Sequence, residues 1–167
     1  VPQIASIVKK MIKPNENEKE EEQYTLEYFS TGVQPVPEIA IIEAKKEVIK
    51  MSNLMHRMLN LFKDTFKNKK NISEVLVRAK KIETVSDQMQ EQISSYLAEC
   101  TKHELSLDSS REAAAMMRIT NELESIGDSC LNLFLQIDKL EVELDFSDEM
   151  NNNINELFNI VMKFVEW

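Results

Sequence analysis

Between Glu38 and Leu140 the chain contains no proline and a single glycine, Gly127. Proline removes a backbone donor and clashes with the preceding turn, and glycine weakens a helix entropically. A stretch this free of both can run as long helices. Its apolar residues recur every three or four positions, the spacing of one helix face. Ile41, Ala44, Val48, Met51, Met55, Met58 and Phe62 make a first stripe. Val75, Ala79, Ile82, Met89, Ile93, Tyr96 and Cys100 make a second, interrupted only by Ser86. A third reads Met116, Ile119, Leu123, Ile126, Cys130, Leu133, Ile137 and Leu140, and a weaker fourth Met150, Ile154, Leu157, Val161 and Phe164. Ser73, Asp108 and Ser147 stand where caps for the second, third and fourth helices are expected, and Lys67 to Lys70 place cations at the end of the first. Helices of about thirty residues joined by short connections pack antiparallel. The expected fold is all-α: an up-down-up three-helix bundle over residues 35–145, with an additional fourth helix over 146–167.

The residues ahead of the bundle differ in character. Pro14 to Gln23 is a run of charge without periodicity, read as a solvated linker. Residues 24–34 mix aromatics with a turn at Thr31-Gly32, and Pro35 and Pro37 sit where helix starts tolerate proline. Residues 1–34 are therefore set apart from the bundle. No window reaches the ~18 consecutive apolar residues of a membrane span. Residues 1–12 are short, carry Lys9 and Lys10, and lack a signal-peptide cleavage pattern. A chain beginning at Val1 is expected to be a fragment of something larger.

The charge balance, 29 acidic against 20 basic residues for a net of −9, repels phosphate backbones and argues against nucleic acid as a partner while favouring cations. Cys100 and Cys130, the only cysteines, lack C-x-x-C spacing and fall on helical stripes. They are expected as two buried thiols, which suits a reducing compartment.

Two acidic pairs interrupt the amphipathic pattern in the same way. Glu83 and Asp87 lie four apart on the second helix, and Glu124 and Asp128 four apart on the third. That spacing puts each pair on one face, where like charges repel. If the two helices turn near residue 105, Glu83 comes to the height of Asp128 and Asp87 to that of Glu124. Four carboxylates would then gather beside the core, where they need a cation, protonation or hydrogen bonds. Clustered oxygen ligands on facing helices suit hard or borderline metals, and a divalent or trivalent ion (Zn, Fe, Mn, Mg or Ca) is the expected cofactor. His56 is a candidate extra ligand, and Glu43 and Glu47 lie nearer the other end of the second helix. The competing reading makes these acids solvated charges on a metal-free interaction or dimerisation module. Gly127, directly before Asp128, marks either close helix packing or access for a cation.

Catalytic chemistry finds little support. The only glycines are Gly32 and Gly127, so there is no phosphate-cradling loop, and neither a Ser/His/Asp arrangement nor H-E-x-x-H occurs. Di-metal bundle oxidases pair each glutamate with a histidine three residues on, whereas Glu83 and Glu124 are followed by Ser86 and Gly127. No enzyme activity and no small-molecule substrate are expected.

The segment Asn121-Glu122-Leu123-Glu124-Ser125-Ile126-Gly127-Asp128 resembles the signature of PhoU-like domains, which reads roughly E-L-E-R-I-G-D. Glu124/Asp128 and Glu83/Asp87 match the family's repeated E-x-x-x-D motif, and Ser125 stands where the family usually has arginine. Pro37-Glu38-Ile39-Ala40 through Glu47-Val48-Ile49-Lys50-Met51 is similar to the first helix of the PhoU-like region that follows the transporter part of bacterial sodium/phosphate cotransporters. The resemblance, over about residues 24–165, implies a regulatory domain on the cytoplasmic side of the bacterial inner membrane. It also implies metal held by the E-x-x-x-D pairs. The partners implied are the transmembrane transporter part of the same protein and a second copy of the domain. Residues 1–34 become a juxtamembrane segment, with Lys9, Lys10 and Lys13 near the membrane face. The fourth helix becomes the opening of a second repeat.

Overall fold

The computed structural model describes residues 37–68, 72–139 and 147–165. The linker and turn expected within 1–34, Pro35, the side chains of the Lys67–Lys70 run, and Leu140 lie outside the described residues. Four helices and no strand occur among the described residues: α1 (Pro37–Asn68), α2 (Ile72–Cys100), α3 (Leu107–Lys139) and α4 (Asp148–Val165). This is the expected all-α three-helix arrangement with an extra helix.

Cross-helix pairs give the directions. Tyr96 of α2 meets Glu43 of α1, and Gln90 of α2 meets Asn121 of α3, so α2 runs antiparallel to both. Lys45 bridges to Glu112 at 3.0 Å, and the Phe62 and Phe134 rings lie 5.1 Å apart, so α1 and α3 run parallel. Helix α4 returns along α1. Its Phe158 ring is 5.3 Å from that of Phe62, and the Ser52 hydroxyl donates to the Val165 carbonyl at 2.6 Å. That bond satisfies one of the carbonyls that a helix C-terminus leaves without an intrahelical partner. The Lys45–Glu112 pair is exposed and worth no more than about 1 kcal/mol, so apolar burial and not charge holds the bundle together.

The helix ends follow local chemistry. After α2 the chain tightens through Thr101 N donating to Leu97 O and His103 N donating to Cys100 O. The hydroxyl of Ser106 accepts from Ser109 N at 3.1 Å, which makes Ser106 the cap of α3. Asp108 lies one residue inside the helix, so it complements the positive end of the helix dipole instead of capping it. Ser73 likewise falls within the first turn of α2, which starts at Ile72. Ser147 caps α4 as expected, accepting from Met150 N at 3.3 Å.

The first two stripes face the core. Every apolar position named for α1 is buried, and on α2 only Tyr96 is left half-exposed. The third stripe needs correction. The buried positions of α3 are Ala113, Met116, Thr120, Leu123, Gly127, Cys130 and Phe134. Ile119, Ile126 and Ile137 are only half-buried, and Leu133 is exposed. The seam thus runs through a threonine and a glycine, while larger aliphatics flank it. The fourth stripe is also displaced. Phe158 and Val165 are buried, with Ile154, Val161 and Met162 packed beside them, whereas Met150, Leu157 and Phe164 face outward. Cys100 and Cys130 are free and buried, and burial pushes the Cys130 thiol up to about 11.

The corrected α3 register makes neighbouring residues behave differently. Phe134→Ala empties a fully buried ring site and should cost about 3–5 kcal/mol, while Leu133→Ala should cost less than about 1 kcal/mol. Denaturant melts of the two variants check this, and the opposite order would restore the stripe read from composition.

Candidate functional site

All three helices meet where Gly127 of α3 faces Met55 of α1 and Ser86 of α2. A Cβ at Gly127 would lie 3.2 Å from Met55 Sδ and 3.6 Å from Ser86 Oγ. A glycine inside a helix costs about 1 kcal/mol against alanine. Here a Cβ would crowd the fully buried Met55, so close packing accounts for the glycine.

This waist sets the height of the acids. Asp87 follows Ser86 and Asp128 follows Gly127, so on antiparallel helices the two turn to the same flank, the groove where α2 meets α3. Glu83 and Glu124 sit one turn away on that flank. All four acidic groups interact. The Glu83 carboxyl is raised above its ordinary range by burial, then by Asp87, Asp128 and Glu124, with a hydrogen bond from Thr84 partly opposing. Asp87 is raised by burial and by Asp128, and Glu124 by burial, Asp128 and Asp87. Every charge acting on these three carboxyls is another carboxylate. The hydroxyl of Ser125 donates to Glu124 Oε2 at 3.4 Å and brings no compensating charge. One helical turn beyond Asp87, Gln90 Nε2 donates to Asn121 Oδ1 at 2.8 Å and closes one end of the acidic strip.

The strip lies at the rim of the core. Glu83 and Glu124 are half-buried and Asp87 and Asp128 exposed. Among the described residues no three His, Cys, Asp or Glu side chains converge as a ready-made metal ligand set. His56, half-buried beside Met55, shares the level of the waist but joins no such group, and His103 is exposed in the α2–α3 turn. Glu43 accepts from Tyr96, ten residues and about 15 Å along α2 from Ser86, so it belongs elsewhere. Burial, Cys100 and Glu43 together push the Tyr96 phenol well above its ordinary range.

Two features were not anticipated from sequence. Glu47 is almost fully buried on α1 and meets Lys50 Nζ at 2.8 Å. Its i, i+3 lysine was the available signal. A cleft of about 510 Å³ opens between α3 and α4 with Leu59 and Phe62 of α1 at its base. It depends on the displaced register of α4, which composition did not reveal.

The fold and this flank together define a class of helical-bundle domain that carries an E-x-x-x-D pair on each of two adjoining helices. The family model of the PhoU domain matches residues 48–137, more than half of the chain, from the middle of α1 to near the end of α3. The chain belongs to the PhoU family, helical regulatory domains connected with phosphate. The match contains Glu83, Asp87, Glu124 and Asp128 and leaves α4 outside it. Neither a curated protein nor a solved structure matches the chain.

The raised carboxyls fix a pH dependence. A carboxyl whose folded pKa exceeds its unfolded value, ~4 for Asp and Glu, takes up a proton more readily in the fold. Its contribution to stability is full below that unfolded value and is lost as pH rises through the raised one. Replacing Glu83 and Glu124 with Gln should therefore raise the melting temperature at pH 7 and leave it nearly unchanged at pH 4. Thermal melts across that range decide, and a double variant less stable at pH 7 would show the acids to be stabilised by something in the fold.

Proposed function

We propose that this chain is the cytoplasmic regulatory domain of a sodium-dependent phosphate transporter, and that it modulates phosphate uptake from the inner side of the bacterial inner membrane. The observation that carries the reading is the placement of both E-x-x-x-D pairs, inside the PhoU match, at one level on one flank of the bundle. No described helix is long and apolar enough to cross a membrane, so membrane attachment falls to another part of the protein. Residues 1–34 are the juxtamembrane connection and the fourth helix opens a second repeat. The transporter part is the partner in cis.

The donor chemistry of the flank suits a hard cation, being four carboxylates with no soft ligand. Glu83 and Asp87 from α2 and Glu124 and Asp128 from α3 would hold it. Their half-exposed side chains are free to swing toward each other, and a cation would remove the mutual repulsion that raises three of them. Bound only by the fold, it would tie α2 to α3 and stabilise the bundle by mass action, about 2.7 kcal/mol at a hundred times Kd.

The second reading, a metal-free interaction module, is favoured by the exposure of Asp87 and Asp128 and the lack of a preformed ligand set among the described residues. Titrating the protein with Mn²⁺, Zn²⁺, Mg²⁺, Ca²⁺ or Fe³⁺ separates the two. A saturating cation should raise the melting temperature by about 5–10 °C, and the variant E83Q/D87N/E124Q/D128N should lose the response. No shift with any of these ions removes the metal and leaves the module.

The regulatory claim has its own check. Deleting residues 48–137 from the gene should change the rate of labelled phosphate uptake at a fixed amount of carrier. An unchanged rate overturns it.

A further inference from the structure

Two features of this chain that the bundle itself does not use match each other. One is the cleft of about 510 Å³ between α3 and α4, floored by Leu59 and Phe62 of α1. The apolar floor continues onto open walls, where Leu133 of α3 is 50% and Leu157 of α4 62% exposed. Along α3 the cleft runs from Glu122 to Leu133, about 16 Å at about 1.5 Å per residue. Among the described residues that line it, the one charged side chain is Glu122. Acids also border its far end. From Asp138 to Glu149, where α3 gives way to α4, the chain holds six acidic residues and a single base, Lys139. The other feature is residues 1–13, which lie outside the described residues. At the helical period, Ile4, Ile7, Val8, Met11 and Ile12 fall on one arc, and Gln3, Ser6, Lys9, Lys10 and Lys13 on the opposite one. Ile4, Ile7, Val8 and Met11 have the i, i+3, i+4, i+7 spacing of a helix that anchors in an apolar groove.

We infer that residues 1–13 dock as an amphipathic helix in the α3–α4 cleft, with Ile4, Ile7, Val8 and Met11 inward. Charge sets the fit. The segment carries three lysines and no acid, and Lys9, Lys10 and Lys13 at its end meet the acidic connection between α3 and α4. Its four anchors span about 10 Å as a helix, well within the length of the cleft. The tether also reaches. Residues 14–36 supply 23 residues, about 25 Å end to end as a flexible coil and longer where charges repel. The cleft floor at Leu59 stands 22 residues along α1 from Pro37, about 33 Å. So short a tether holds the segment at roughly millimolar effective concentration, and a weak contact then suffices. A lipid surface is the poorer seat for the same apolar arc. Helices that lie in a membrane interface anchor with Trp, Phe or Leu, and residues 1–13 contain none of these. Docking of this kind requires only this chain, and holds whether or not a transporter is attached to it.

Maleimide labelling of Leu133→Cys and Leu157→Cys in the full 167-residue chain, read site by site by mass, reports cover over the cleft. Val77→Cys, on α2 and 58% exposed, serves as the open reference. Both cleft sites are expected to label about tenfold more slowly than the reference, as sites freed only by local opening do. Adding I7D/M11D should return them to the reference rate. Cys100, buried in the core, should stay unreactive throughout, which shows that the bundle is intact in each variant. Changing Lys9, Lys10 and Lys13 to Glu should also remove most of the protection. Reference-rate labelling at both cleft sites overturns the proposal, as does protection that I7D/M11D leaves in place. Protection that appears only as protein concentration rises means cover by a second copy, and overturns it too. A segment that binds phosphatidylglycerol vesicles through Ile7 and Met11, yet leaves the cleft sites open without them, has the membrane as its seat and overturns the docking. Protection indifferent to the lysine changes overturns the contact with the acidic connection.

Discussion

The close approach of α3 to α1 and α2 at Gly127 is the constraint on which the rest of this bundle depends. The Met55 side chain crowds the position where a larger residue on α3 would place its Cβ, and Ser86 lies beside it from α2. Because these residues meet at one height, the residues that follow Ser86 and Gly127 are also level. Those residues are acidic. The acidic strip is therefore a consequence of core packing: the helices come together for apolar reasons, and repulsion among Glu83, Asp87, Glu124 and Asp128 is what the bundle tolerates at its rim. The cost stays modest because half the strip is open to water, which screens it.

The same rim position explains why the strip is neither a buried charge cluster nor an ordinary surface. Deep in the core, four unpaired carboxylates would be prohibitively costly and would neutralise by protonation. Fully in water, they would titrate normally and hold a cation weakly. Between these limits three of the carboxyls are raised by partial burial first and by one another second, a state that a proton or a cation relieves. Beside Glu124, Ser125 supplies only a hydroxyl and no compensating charge.

Much of this was legible in the sequence, and the illegible parts share one cause. The α1 seam could be read because every inward position is apolar and its neighbours are charged. The level of the acids could be read because antiparallel helices joined by a short turn have a fixed correspondence. The α3 seam could not, since its inward positions include Ala113, Thr120 and Gly127, while the bulkier Ile119, Ile126 and Leu133 sit on the flank. Counting hydrophobic residues selects size, but a tight crossing selects smallness, and the two criteria rotate the helix differently. On α4 the failure is of another kind. Its apolar stripe is broad, and only the contacts of Phe158 with Phe62 and of Val165 with Ser52 show which edge of it turns inward. How far apart the four carboxylates stand, set by rotamers at a half-exposed rim, has no sequence signature at all.

Helix α3 is the shared wall of the two features that the packing leaves unsatisfied. Glu124 and Asp128 look toward α2, while Glu122, Ser125, Ser129 and Leu133 line the cleft toward α4. The inward side of this 33-residue helix is engaged along its length, at Ala113, Met116, Thr120, Leu123, Gly127, Cys130 and Phe134. Swinging the acids together by rotating α3 would carry Leu133 and Ser129 with them and change the shape of the cleft. The acidic flank toward α2 and the apolar cleft toward α4 are therefore two faces of one helix, held in register by the same buried seam.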